Sequence, residues 1–446
     1  MTTPTAPTGV PQVAARHAWY VVCLLSLASM IGYLDRSLLT MMVAPVRADL
    51  GISGTQMSLL LGFAFAVFMG IASLPIAWLA DRRDRSRILA AGILLWSLMT
   101  GLGAFADSYG MLFAARIGVG IGEAVLVPVG ASLIADLFTR DQLGRANAIV
   151  LLGTASGAGL ALVVGGAVIH WVTETGIHGV GLLEGFRGWQ AAFLLAALPG
   201  IPLGLLVLLT VRDPRPLRAV VPAQGSSPLG EPRWAEFIRT HRRTLITLAL
   251  AYPLAVAVTN GWLAWTPTLL MQKFGLGVAE TGQIFGGVIL VCGVIGVPLG
   301  GILADRLFRR GVGDTAILLS VAATVTLGLI GAVLSSVDSL AVMVGLMCVL
   351  FFSINLTAIM PTLAIQLITP PGLRARTVAM LAFVSTLIGA GLGPTIIAAI
   401  SEGVFGSMDA LGRALAVASL TLYPISAALL FSVRRSFARS LAMQGG

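Results

Sequence analysis

What most limits the fold of this chain is the recurrence, along its whole length, of charge-poor apolar stretches of about twenty residues or more. A bilayer core needs about 20 such residues per helix. Lipid has no water to satisfy backbone N–H and C=O groups, so only helices or closed barrels can cross it. Hydropathy marks about twelve spans: 18–43, 55–80, 88–106, 109–137, 146–171 and 189–211, then, past a polar stretch, 244–271, 281–304, 314–334, 340–368, 377–400 and 411–433. With 57% hydrophobic and 11% charged residues, the chain lies far from the balance of a soluble domain. The expected fold class is an all-α membrane protein.

A formal net charge of +9 raises the question of nucleic acid. The arginines answer it by their placement, since they sit in short loops between spans rather than on one soluble face. Arg82, Arg83, Arg85, Arg87, Arg140, Arg145, Arg306, Arg309, Arg310, Arg374, Arg376, Arg434, Arg435, Arg439 and the run from Arg212 to Arg243 fall on one side. Arg47, Arg187, Lys273 and Arg413 fall on the other. The positive-inside bias then predicts an inner-membrane protein with both termini and the central loop in the cytoplasm, and no nucleic-acid partner. Residues 1–17 read as a cytoplasmic tail rather than a signal peptide. Cys23, Cys292 and Cys348 lie within spans, and His17, His170, His178 and His241 are scattered, which predicts neither a disulfide frame nor a metal or cofactor site. No nucleophile–base pair or phosphate loop is arranged for an enzyme.

The chain repeats itself. Leu79-Ala80-Asp81-Arg82 after the second span returns as Leu303-Ala304-Asp305-Arg306 after the eighth, each preceded by a proline, Pro75 and Pro298. The expected architecture is therefore twelve transmembrane helices in two pseudo-symmetric six-helix bundles, residues 18–211 and 244–433, with the substrate between them near the midplane. Residues 212–243 read as a cytoplasmic linker; within it Trp234, Phe237, Ile238 and His241 follow helical spacing among arginines and predict a short interfacial helix. Residues 434–446 read as a cytoplasmic tail.

The stretch Pro75-Ile-Ala-Trp-Leu-Ala-Asp81-Arg82-Arg83-Asp84-Arg85 resembles the signature loop of the major facilitator superfamily, although Asp84 stands where a glycine is usual. Tyr33-Leu34-Asp35-Arg36, Arg116-Ile-Gly-Val-Gly-Ile-Gly-Glu123, Ile134-Ala-Asp136-Leu-Phe138 and Gly391-Leu-Gly-Pro394 together are similar to its spinster-like branch. That resemblance implies the major facilitator fold and alternating access. It also implies a lysophospholipid or sphingosine-1-phosphate type of substrate, with proton coupling. Neighbouring branches share the Asp-Arg pair, so a proton-coupled organic-anion or sugar-acid symporter is the alternative. A membrane sensor that binds without transporting is a reading from another class.

Asp35, Arg36, Arg116 and Glu123 are charges deep in apolar spans, which makes them functional candidates. Counting rise per residue, Asp35 and Arg116 lie at one level, which predicts an ion pair between them; Glu123 lies roughly 10 Å further along the same face as Arg116. Asp35 and Glu123 are the expected proton-coupling acids, Arg36 and Arg116 their charge partners or the seat of an anionic head group. A static ion-pair network joining the first and fourth spans is the competing reading. The second half offers only polar groups such as Asn260, Asn355 and Thr357, which with Trp262 and Trp265 are the expected cavity lining. A charged wall facing an apolar one suits an amphipathic substrate. At the cytoplasmic face, Asp81, Arg82, Arg85, Asp136, Arg145, Asp305 and Arg306 are the expected conformational latch between halves. A monomer, with protons, substrate and membrane lipids as its partners, is the expected working unit.

Overall fold

The computed structural model describes residues 15–139, 142–174, 185–214, 234–309, 314–370 and 373–442, with the side chains at positions 15, 144, 305, 308, 309, 375 and 442 left aside. Most of the 1–17 tail, the linker from 215 to 233 and the side chain of Asp305 thus lie outside the described residues. Among the described residues, 12 helices are long and apolar enough to cross a membrane. They are α1 (Arg16–Met41), α2 (Gly54–Arg82), α3 (Arg85–Gly103), α4 (Tyr109–Leu137), α5 (Arg145–Glu174), α6 (Gly188–Thr210), α7 (Trp234–Phe274), α8 (Val278–Ala304), α9 (Thr315–Leu334), α10 (Leu340–Ile368), α11 (Arg376–Gly403) and α12 (Met408–Leu441). Large apolar side chains such as Leu74, Leu209, Leu329 and Phe431 stand exposed on them, as expected where the surrounding solvent is hydrocarbon.

Local chemistry starts and stops these rods where the chain leaves the membrane. Gly51 ends a short helix, Val43–Leu50, with φ +61°, the left-handed conformation that glycine adopts freely at helix ends. Ser53 then opens α2 with a capping box: its Oγ accepts from Gln56 N at 3.1 Å, and Gln56 Oε1 accepts from Ser53 N at 2.9 Å. Asp84, the departure from the superfamily loop, caps α3 by accepting from Ser86 N at 2.9 Å and Arg87 N at 3.1 Å.

The first six helices pack mainly on one another and so do the last six, with α5 lying along α8 and α2 crossing α11 between the halves. The α5–α8 seam depends on missing side chains: a Cβ on Gly159 would stand 2.6 Å from the Gly286 carbonyl oxygen, and one on Gly286 2.6 Å from that of Gly159. Small residues facing each other in this way let backbones touch. At the other crossing, a Cβ on Gly62 would lie 2.7 Å from Gly391 O. Two π-helical stretches, Leu59–Phe63 in α2 and Ser385–Ala390 in α11, meet there, an irregularity that often marks functional sites.

Two expectations are corrected. Trp234 to Arg243 form no separate interfacial helix but continue α7 out of the membrane. The 434–446 tail is helical as far as Ala442, as an extension of α12. The two extensions bury each other's apolar stripes: Phe237 and Phe437 are 4% and 0% exposed, and His241 Nδ1 lies 2.9 Å from Ser440 Oγ. An apolar stripe with a protein partner packs on it rather than on lipid.

Candidate functional site

α1 and α4 carry the four deep charges, α3 adds a hydroxyl and α2 an aromatic ring. Asp35, Arg116 and Glu123 are 3%, 2% and 2% exposed, whereas 31% of the Arg36 side chain is exposed, so Arg36 alone of the four looks into open space. Its Nη2 donates to Glu123 Oε2 in an ion pair. Gly32, one turn earlier on α1, leaves room for that carboxylate, since a Cβ there would lie 3.1 Å from Oε2. Asp35 faces the other way and accepts a hydrogen bond from Thr100 Oγ1 on α3, whose hydroxyl lies 2.9 Å from Trp96 O.

The expected Asp35–Arg116 salt bridge is therefore replaced by Arg36–Glu123. Depth along a helix placed Asp35 and Arg116 at one level, but each successive residue also turns by about 100°; that rotation sends Asp35 toward α3 and gives Glu123 to Arg36. All four charges still act on one another electrostatically. Buried Asp35 Oδ1, Glu123 Oε1, Arg36 Nε and Arg116 Nε and Nη1 have no hydrogen-bond partner among the described residues. The Phe65 ring of α2 lies against both cations, with its centroid 4.3 Å from Arg36 Cζ and 5.6 Å from Arg116 Cζ; Tyr33 adds a second ring 4.9 Å from Arg36 Cζ.

Arg36 opens into a cavity of about 250 Å³ between the halves. Tyr33, Ser37 and Thr40 join it on one wall, and Leu263, Phe285, Ile289 and Pro394 make the other, relieved by Asn260 and Thr386. A second cavity of about 250 Å³ shares Thr386 and Ala390 with the first and passes Pro361, Leu381 and Ala382 toward the arginine-rich end of α11. Asn260 thus lines the space. Trp262 and Trp265 do not: both are 0% exposed, their indoles donating to Ser419 Oγ at 3.0 Å and Pro394 O at 2.9 Å. An indole N–H inside a bundle seeks a partner, and both found theirs in the packing of the second half. Asn355 and Thr357 bond back to Phe351 O and Ser353 O of their own helix and are not among the residues lining either cavity.

The arginine-poor end is closed between the halves. Glu402, at the end of α11, accepts from Gly54 N at 2.5 Å, Thr55 N at 2.9 Å and Thr55 Oγ1 at 2.7 Å, with Arg47 Nη2 3.8 Å away. A carboxylate thus caps the positive N-terminus of a helix from the opposite half, the contact expected of Asp81 and Asp305 but made at the other end of the molecule.

The arginine-rich end corrects the latch. Arg85 is 1% exposed and spends its donors inside the first half: Nη2 lies 2.7 Å from both Asp213 Oδ1 and Asp136 Oδ2, and Nη1 donates to Ser132 O at 2.9 Å. Arg85 and Asp136 therefore tie α3, α4 and the segment after α6 together rather than bridging the halves. Arg82 lies 3.7 Å above the Trp78 ring, and Asp81, Arg145 and Arg306 are exposed. Sequence reasoning missed Phe65, Glu402 and Asp213. Glu402 had a readable signal, an acid at the end of one span facing a serine-capped start of another, whereas Phe65 is one apolar residue among many.

Two bundles around a central cavity with buried charges define a membrane carrier. The chain belongs to the Major Facilitator Superfamily, whose family profile spans residues 25–394. It is a transporter, not an enzyme, and within the superfamily it is spinster-like. An MFS-type efflux pump of Mycolicibacterium smegmatis is 29% identical over 90% of this chain and 89% of its own. Protein spinster of Drosophila melanogaster is 27% identical over 87% of this chain, which spans only 63% of that relative's length. A crystal structure of a bacterial homologue of the human lysosomal transporter spinster, inward-facing and unoccupied, superposes with TM-score 0.76 at 25% identity, covering 95% of this chain and 98% of the other.

Proposed function

We propose that the chain carries an amphipathic substrate with an anionic head, of the lysophospholipid or sphingosine-1-phosphate type, by proton-coupled alternating access. The observation that carries this reading is Arg36: a cation at the cavity wall, paired with a buried carboxylate and facing an apolar surface. While Glu123 is ionised, Arg36 is neutralised. A proton on Glu123 frees the guanidinium to hold an anionic head group through charge-assisted hydrogen bonds, so substrate anion and proton are taken up together with little change in the charge of the site. Asp35, one layer behind with an acceptor unspent, is the second proton-responsive acid, and Arg116 acts on it electrostatically. The substrate's hydrocarbon lies along Leu263, Phe285 and Ile289.

The arginine-rich end faces the cytoplasm of the inner membrane by the positive-inside bias. The Glu402 seal at the opposite end and the cavities leading toward α10 and α11 support an inward-facing state. Exposed Asp81, Arg82, Arg145 and Arg306 act as latch residues in the state that closes this end. The modest cavity volume favours a compact organic anion or sugar acid as the second reading.

Proteoliposome uptake tests both. The proposal expects labelled lysophospholipid to accumulate under an imposed pH gradient, with Asp35→Asn and Glu123→Gln remaining monodisperse but losing the gradient dependence. Unaltered pH dependence in both variants refutes the coupling; accumulation of sugar acids alone refutes the lipid.

A further inference from the structure

A groove at the arginine-rich end, far from the cavity, is lined by four arginines. Beyond the membrane α12 turns Val433, Phe437 and Ser440 inward and leaves Arg434, Arg435 and Arg439 on its open face. Together with Arg243 of α7 and Asp314 before α9, they enclose a groove of about 780 Å³. Arg434 is occupied by its ion pair with Asp314. Arg243, Arg435 and Arg439 have no ion-pair partner among the described residues. One turn into the membrane from Arg435, on the same face of α12 and lining the same groove, Phe431 is 60% exposed, roughly 5 Å deeper. Guanidinium groups in a fork match phosphate oxygens. The aromatic surface directly beneath them matches something that is anionic above and hydrocarbon below.

We propose that this groove binds an anionic phospholipid, its phosphate between Arg243, Arg435 and Arg439 and an acyl chain along Phe431. Basic pockets between helix ends are the physical setting for such recognition. The site lies outside the transport path, so it stands or falls independently of the substrate.

The test uses the full-length protein, delipidated in mild detergent and offered phosphatidylglycerol, phosphatidylcholine or inorganic phosphate. Native mass spectrometry reads bound lipid and thermal unfolding reads stabilisation. Phosphatidylglycerol is expected to be retained and to raise the unfolding midpoint, while phosphatidylcholine and inorganic phosphate leave it unmoved. The triple variant Arg243→Gln, Arg435→Gln and Arg439→Gln should keep its lipid-free midpoint and lose retention by on the order of a hundredfold, about fivefold per arginine. Should the triple variant misfold, Arg439→Gln alone should show the fivefold loss. Phe431→Ser should weaken retention with the arginines intact. Equal retention by wild type and arginine variants overturns the proposal, as does equal stabilisation by inorganic phosphate or by phosphatidylcholine.

Discussion

Removing the Glu402 carboxylate should open the arginine-poor end. Its three hydrogen bonds reach from the second half to the first turn of α2, through Gly54 N, Thr55 N and Thr55 Oγ1, so they exist only while that end is shut. Their whole value therefore falls on the equilibrium between conformations rather than on folding. A hydrogen bond to a charged group contributes about 1.5–3 kcal/mol. The Glu402 side chain is 26% exposed, and water recovers part of what is lost, so the three together are worth about 2–3 kcal/mol. At about 1.4 kcal/mol per decade, Glu402→Ala should raise the ratio of outer-open to outer-closed molecules roughly 30- to 150-fold. Nitroxide labels at Ser108 and Ser336, exposed loop positions of the two halves, would report this by pulsed electron resonance in a Cys23→Ser background. A long-distance population should appear in Glu402→Ala and be smaller in Glu402→Gln, which keeps an acceptor oxygen. A distance distribution that changes less than threefold in Glu402→Ala would show that the seal lies elsewhere.

Further variants separate packing from function. Arg85→Ala takes the guanidinium away from Asp213, only 4% exposed, and should cost about 3 kcal/mol, seen as a lower unfolding midpoint that adding Asp213→Asn partly restores; an unchanged midpoint contradicts the link through Arg85. Gly159→Val drives a side chain into the Gly286 carbonyl and should abolish uptake, whereas Gly287→Val, with nothing within 4 Å, should be tolerated; equal effects refute the seam. Trp265→Phe removes the indole donor to Pro394 O and should cost about 1 kcal/mol with substrate KM unchanged, while Arg36→Gln should raise KM severalfold, the stability lost by leaving buried Glu123 without its ion-pair partner being recovered on adding Glu123→Gln. The reverse pattern would put Trp265, not Arg36, in the cavity.

How much of this was legible in advance follows from what each feature depends on. The spans were readable because a bilayer imposes a one-dimensional rule, about twenty residues without charge. The same rule made Asp35, Arg36, Arg116 and Glu123 conspicuous, since a charge in hydrocarbon stands out by its cost. Asp84 at the α3 cap and Ser53 at the start of α2 are local chemistry over three or four residues.

Partnership was not legible. Which carboxylate meets which arginine depends on the rotation of α1 and α4 about their axes and on the order in which helices surround one another. Both are set by packing such as Gly32 against Glu123 and Gly159 against Gly286. Trp262 and Trp265 share a helix face that spacing identifies; that the face meets Ser419 and Pro394 rather than the cavity is a property of α11 and α12, a hundred residues and more away. Phe237 and His241 carried an interfacial pattern that α12 turned into a buried one. Sequence by itself thus determined which segments live in lipid and which side chains are too costly there to be incidental, because both depend on transfer from water and not on neighbours. Only the tertiary structure decided who pairs with whom, which wall faces the cavity and which end is closed, because those depend on contacts between helices that the linear order does not encode.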